Sequence, residues 1–309
     1  MRVDPTYITN LVGSLDETQS NEQQLTAELS SGVSITSLSQ NPVGSGENVL
    51  LLNQIQQDDS FTQSSNLVTG QLQVADSALG SVVSQLTQAI SLATSANNGT
   101  MNSSNVKSIG NQISGILDEV QSLANTNYQG QYIFAGGEAG AAPFSTSTAT
   151  SPGVTSYNGG QTVNSLVLPN GQSIQLNVPG DRIFLGGGAN GGAASVFGAL
   201  NALVADYSSG TVNTQQAVSD TAVLSSALNY VSQQRVTIDN SMTQLSAASG
   251  AVANEQTQLT TAQTTLMQAD IPTVSTQLSL AETQQTALED VIAQLDSTAN
   301  SLFSKLQVG

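Results

Sequence analysis

The chain has 309 residues, 22 acidic side chains against five basic ones for a net charge of −17, and no Cys, His or Trp. Without imidazole or thiol there is no Cys/His zinc site, no histidine base and no thiolate nucleophile. The acidic balance opposes nucleic acid and anionic lipid, both of which require a cationic surface.

Carboxylate chemistry needs acidic groups converging in one pocket. Here they are scattered along helical segments, where charged side chains belong in water. Asp181 beside Arg182 reads as a surface turn ion pair of little energy. No enzyme, cofactor or metal site is therefore expected. Aromatic residues make up only 4 %, and the apolar remainder is mostly Leu, Val, Ile and Ala. That mixture suits long thin helices with narrow apolar seams. Met1-Arg2-Val3-Asp4-Pro5 is followed by no apolar core, so no cleavable secretory signal is expected. No apolar run approaches the roughly 20 residues of a membrane span, and no membrane insertion is expected.

In chain order, residues 1–40 form the first predicted segment. Ile8, Leu11, Leu15, Thr18, Glu22, Leu25 and Leu29 step by three and four residues, which lines one stripe of an α-helix. Asn41-Pro42 breaks it, because a proline ring crowds the residue before it. Residues 41–136 form the N-terminal part of a helical rod. Leu72, Ala75, Leu79, Val82, Leu86, Ala89 and Ala93 continue the same step. Asn97-Asn98-Gly99-Thr100 ends that helix, Asn102 to Asn105 offer caps, and Val106, Ile109, Ile113, Ile116, Val120 and Leu123 begin another.

Residues 137–215 differ in kind. Fifteen of the 27 glycines fall between Gly130 and Gly198, and four of the seven prolines between Pro143 and Pro179. Glycine's entropic cost and proline's missing donor oppose long helices there, so strands and loops are expected. Ile174, Leu176 and Val178 alternate with polar residues after Asn170-Gly171, a favoured hairpin pair. Residues 216–269 return to helix, with Leu224, Leu228, Val231, Arg235, Ile238, Met242, Leu245, Ser249 and Val252 in step. Asp270 caps the last segment, 270–309, with Pro272 in its first turn. Its stripe includes Ile271, Val274, Leu278, Ala281, Gln285, Leu288, Ile292, Leu295, Leu302 and Leu306.

The expected fold is mainly α: a long antiparallel helical rod or coiled coil built from the N- and C-terminal segments, with a small β-rich inserted domain. Ordinary amphipathic helices in a bundle would share the pattern. Two thin terminal helices bury too little alone to offset their ordering entropy. Contact with further copies would cover them, and a head-to-tail contact that does not close makes a helical filament. The candidate assembly interface is Ile8, Leu11, Leu15, Leu25, Leu29, Ile271, Val274, Leu278, Leu288, Ile292, Leu295, Leu302 and Leu306.

Several short motifs, in order and spacing, resemble the bacterial flagellin family, and within it the members that join hook to filament. Leu29-Ser30-Ser31-Gly32 is followed by Asn41-Pro42-Val43-Gly44, and Met1-Arg2-Val3 is similar to junction-type starts. Tyr132-Ile133-Phe134-Ala135-Gly136, then Ala141-Ala142-Pro143-Phe144 and Tyr157-Asn158-Gly159-Gly160, look like the entry into a variable domain. Ala227-Leu228-Asn229, Gln285-Thr286-Ala287-Leu288 and Leu302-Phe303-Ser304-Lys305-Leu306 look like the returning helices. The likeness covers about residues 1–144 and 220–309. Glu28, Val33-Ser34 and Gln40-Asn41 depart from charges common in the family.

The resemblance implies an extracellular subunit of the bacterial flagellum, exported unfolded by a type III route without a cleavable signal peptide. It implies a coiled-coil inner layer made by the terminal helices and an insertion projecting outward. The implied partners are further copies and flagellin-family subunits, the first hook-associated protein on one side, flagellin on the other, and an export chaperone for the C-terminal helix. Flagellin itself is the alternative within the family. A coiled-coil adaptor or adhesin binding through its insertion is the alternative outside it.

Overall fold

The computed structural model describes residues 5–35, 41–98, 101–147, 154–168, 171, 173–186 and 195–306. It falls into two compact units, one of Met1–Asp58 with Asn254–Gly309, the other of Asp59–Ala253. Four long helices carry most of the chain: α1 (Pro5–Ser31), α2 (Pro42–Ala96), α6 (Thr214–Met267) and α7 (Ile271–Leu306). Between α2 and α6 lie α3 (Ser103–Ala124), α4 (Gly180–Phe184) and α5 (Val196–Ser208). Six short strands occupy the same interval: β1 (Asn127–Tyr128), β2 (Gln131–Tyr132), β3 (Phe144–Ser147), β4 (Val154–Tyr157), β5 (Ser165–Val167) and β6 (Ser173–Gln175). A mainly helical fold with small antiparallel strand pairs is what the spacing predicts.

In the second unit, α2 and α6 run antiparallel. Ser65 Oγ lies 2.5 Å from Ser249 Oγ, Arg235 pairs with Asp76, and Asn97 Nδ2 donates to Thr221 Oγ1, so rising numbers on α2 meet falling numbers on α6. Leu72, Ala75, Leu79, Val82, Leu86, Ala89 and Ala93 are each no more than 2 % exposed. On α6, Leu224, Val231, Ile238, Leu245 and Val252 recur every seventh residue and are all buried. Leu228, Arg235, Met242 and Ser249, between them, are half-buried. That alternation is a coiled-coil seam with one fully covered row.

The polar residues in the seam have partners. Arg235 Nε and Nη2 donate to the two oxygens of Asp76 at 2.5 and 3.1 Å, and this hydrogen bonding raises the guanidinium's already high pKa. Such a fork fixes one register of α2 against α6. Asn102 caps α3 by accepting from the Asn105 N–H at 2.8 Å, and α3 packs on α5.

Antiparallel hairpins form between β1 and β2, β3 and β4, and β5 and β6, the last pairing Leu166 with Ile174. Ile174 and Val178 are buried and Leu176 half-buried, but the expected alternation does not hold. Gln175 is half-buried, Asn177 is buried where it accepts from the Asn164 N–H, and β6 ends at Gln175. Of the Asn170-Gly171 turn, Asn170 lies outside the described residues, whereas Gly171 has φ +81°. The stretch expected as strands and loops also holds α5. Ser195 accepts from the Gly198 N–H to start it, and Val196, Leu200, Leu203 and Tyr207 step by four and three residues on its buried face.

A narrow-seamed molecule was expected, yet four of the six phenylalanines gather into one aromatic core. Phe134, Phe144, Phe184 and Phe197 meet with ring centroids 5.2–5.7 Å apart. The core is tied to the end of α3 by Asn125, whose side chain exchanges two 2.9 Å hydrogen bonds with the backbone of Phe144. Gly136, at φ +63°, has no room for a Cβ beside the Gly160 carbonyl.

One expectation fails here. Asp181 is not a surface residue paired with Arg182: it is 4 % exposed and its Oδ1 has no partner, while Arg182 points outward. The sequence neighbours sit on opposite sides of α4, which aims Asp181 inward near Tyr157. Burial, then the Asp181 charge, push the Tyr157 phenol up to about 12.

Candidate assembly surface

The first unit begins with α1, whose end is set by the Leu-Ser-Ser-Gly motif. Gly32 takes φ +69° and its N–H donates to the Glu28 carbonyl at 2.8 Å, a left-handed cap that glycine alone adopts cheaply. The chain then touches the end of α6. Ser34 N–H donates to Met267 O at 2.7 Å, and Ala269 N–H donates to Gly32 O at 2.9 Å.

Asn41 starts α2, accepting from the Gly44 N–H at 2.9 Å, with Pro42 in the first turn, where its missing donor costs nothing. A Cβ on Gly44 would come within 2.7 Å of Asn41 Nδ2 and Ile35 Cδ1, so the glycine lets that turn close. Gln263 Nε2 donates to Asn48 Oδ1 at 2.9 Å, repeating the antiparallel α2–α6 pairing within this unit.

Helices α1 and α7 pack on each other. The structure brings Leu25 and Val274, both 5 % exposed, together with Ala269 and Ala281 in one small cluster, with Leu278 half-buried against it. Leu11, Leu15, Leu288, Ile292 and Leu295 are half-buried along the two helices. Leu29 and Ile271 remain 36 % and 40 % exposed. The backbones of Ile8, Leu302 and Leu306 belong to α1 and α7, but their side chains lie outside the described residues.

Sequence reasoning missed some apolar residues on this unit. Tyr7 and Val12 on α1, and Leu280 and Val291 on α7, are exposed. Leu280, Ala287 and Val291 step by seven and four, a second stripe on α7 that the same spacing rule would have found. Of the acidic side chains of the pair, Asp16, Glu17, Glu282, Glu289 and Asp290 point to solvent, and Glu22 is half-buried. Glu28 is buried, held by Gln24 Nε2 at 3.2 Å.

Among the described residues no three acidic groups gather to hold a metal ion, and no helix is long and apolar enough to cross a membrane. Chemically, the arrangement offers leucine side chains in partial contact with water, flanked by carboxylates. It is suited to taking up another helix.

Residues 7–139 match the family described as the bacterial flagellin N-terminal helical region. Over these residues the chain is similar to the flagellin family. It is 26 % identical over 179 residues to flagellar hook-associated protein 3 of Salmonella typhimurium, covering 58 % of this chain and 54 % of that protein. The figures for flagellar hook-associated protein 3 of Escherichia coli are the same. The chain thus spans about half the length of the curated relatives it matches. In fold it is similar to a solved flagellar hook-associated protein of Vibrio parahaemolyticus, with a TM-score of 0.65 at 17 % identity, over 74 % of this chain and 99 % of that one. The fold of that solved protein therefore accompanies the sequence likeness.

Proposed function

We propose that the chain is a structural subunit of the bacterial flagellum that joins hook to filament, assembling through α1 and α7. The observation that carries this reading is the leucine seam of these two helices. A single copy leaves it half-covered, with Leu29 and Ile271 more than a third exposed. Burying each such side chain against a neighbour contributes about 1–2 kcal/mol, repeated at every subunit contact. The assembly interface is then Ile8, Leu11, Leu15, Leu25, Leu29, Ile271, Val274, Leu278, Leu288, Ile292, Leu295, Leu302 and Leu306.

The names of the relatives support the junction role, and the chain performs no catalysis in this reading. Its partners are further copies, a hook-associated subunit on the hook side, flagellin on the filament side, and an export chaperone. It works outside the cell, in the flagellum.

Electron microscopy of cells lacking the gene, with flagellin assayed in the medium, tests the role. Hooks without filaments and flagellin lost to the medium are expected. Hooks with no secreted flagellin would instead make the chain the filament subunit, and normal filaments would overturn a flagellar role.

A further inference from the structure

In the second unit, three helix ends meet where α5 hands the chain over to α6. The buried Tyr207 hydroxyl donates to Asn97 Oδ1 at 3.0 Å and lies 3.3 Å from the Ala93 carbonyl. Asn97 Nδ2 donates to Thr221 Oγ1 at 3.3 Å, and the Thr221 hydroxyl donates to Ala217 O at 2.6 Å. This chain of neutral bonds joins α2, α5 and α6.

Each protein-side anchor of the chain is preceded by an aspartate, Asp206 before Tyr207 and Asp220 before Thr221. The bonds of Tyr207 and Thr221 to Asn97 hold these two carboxyl groups at one helix junction, where Asp220 favours the protonated form of Asp206. Gln216 Nε2 donates to both oxygens of Asp220 at 3.1 Å, whereas Asp206 Oδ2 is buried without a partner. Two adjacent carboxylates resist joint ionisation, and an acceptor with no donor is costly. One shared proton relieves both faults.

We propose that Asp206 and Asp220 form a proton-operated clasp that fastens α5, the helix leading out of the insertion, to the start of α6. The charged and titratable groups around it are few. On α6 there is Asp220. On α5 there is the Tyr207 phenol beside Asp206, pushed by burial up to about 12 and so neutral throughout. On α3 there is Lys107, whose stem packs over Gly210, and residues 93–97 of α2 carry no titratable side chain.

Burial, then the Asp220 charge, raise Asp206 from the ordinary 3.8 to about 6. A carboxyl raised in the closed state binds its proton more tightly there than in the open one. Its contribution to closure is therefore fully present below about pH 4 and lost as pH rises through about 6.

Hydrogen exchange of the full chain, corrected for intrinsic rates and compared at pH 7.5 and 5, tests the clasp. Amides of residues 200–222 should gain up to about tenfold in protection at pH 5. Asp206→Asn, which keeps a donor but cannot ionise, should be protected at both pH values. Asp220→Asn should lose the pH dependence likewise, and serves if the first variant folds poorly. Asp118→Asn, on the exposed face of α3, should behave as the parent does. Equal protection of the parent at both pH values, or an undiminished pH response in both clasp variants, would overturn the proposal.

Discussion

The two units use the same three-and-four spacing and reach different ends. In the second unit the stripe of α6 is buried at every seventh residue from Leu224 to Val252, opposite an α2 stripe no more than 2 % exposed. There α3 and α5 add further layers, and four phenylalanines close the insertion. In the first unit the α1–α7 contact buries one leucine, one valine and two alanines together, and the leucines beyond them stay half in water. Periodicity thus specifies a face. The number of helices that meet there decides whether the face becomes a finished core or an open seam.

The largest effect should come from breaking the open seam without touching the finished core. Replacing Leu288 and Ile292 together by Asp places charges where an assembled neighbour would remove water, at a cost of several kcal/mol per contact. Incorporation into flagella should fall to nothing, while the monomer's melting curve in the second unit stays unchanged. Normal filaments from that double variant would sink the seam assignment.

The converse experiment attacks the core. Phe184 touches Phe134, Phe144 and Phe197 and is fully buried, so Phe184→Ala should lower the stability of the second unit by about 3–5 kcal/mol. Chemical denaturation followed by aromatic fluorescence would measure it. A loss below about 1 kcal/mol would mean that the insertion's core tolerates the cavity and that the contrast between the units is smaller than it looks.

The long helices and their breaks were legible because they rest on local rules. Asn41-Pro42, Gly32 and Asn102 act within a few residues of themselves, and the structure uses each as a cap or a stop. The aromatic core was not legible, because Phe134, Phe144, Phe184 and Phe197 are distant in sequence and a 4 % aromatic content says nothing about where the rings converge. The burial of Asp181 was not legible for a related reason: adjacency to Arg182 in sequence places the two side chains on different faces of a short helix. On α7, the second stripe, through Leu280 and Val291, has a spacing that overlaps the stripe toward α1, so a single three-and-four count follows only one of them.

A smaller effect separates capping from packing in the first unit. Asn41→Ala removes the acceptor for the Gly44 N–H and should cost about 1 kcal/mol, fraying the first turn of α2. Amide exchange at residues 42–46 should rise while that of the Leu72–Ala93 stretch stays fixed. Acceleration in both stretches would show the two parts of α2 to be more tightly coupled than the separate units imply.

The smallest effect belongs to the one ion pair found between α2 and α6 among the described residues. The Asp76 and Arg235 side chains are 24 % and 36 % exposed, so solvent screens them and the fork should contribute only about 0.5–1 kcal/mol. A double-mutant cycle with Asp76→Asn and Arg235→Gln isolates that coupling from the packing of the arginine stem, which Leu-like contacts in the seam would otherwise obscure. What the pair adds beyond energy is register. Arg235 stands at a half-buried seam position between buried Val231 and Ile238, and its guanidinium also packs beside Gly80. A slip of α6 along α2 would take the charge away from Asp76 and press it onto apolar neighbours. The double variant should therefore lose little stability yet show more than one set of α2–α6 contacts by disulfide trapping between engineered cysteines. A single trapped register in that variant would assign the specificity to the apolar row alone.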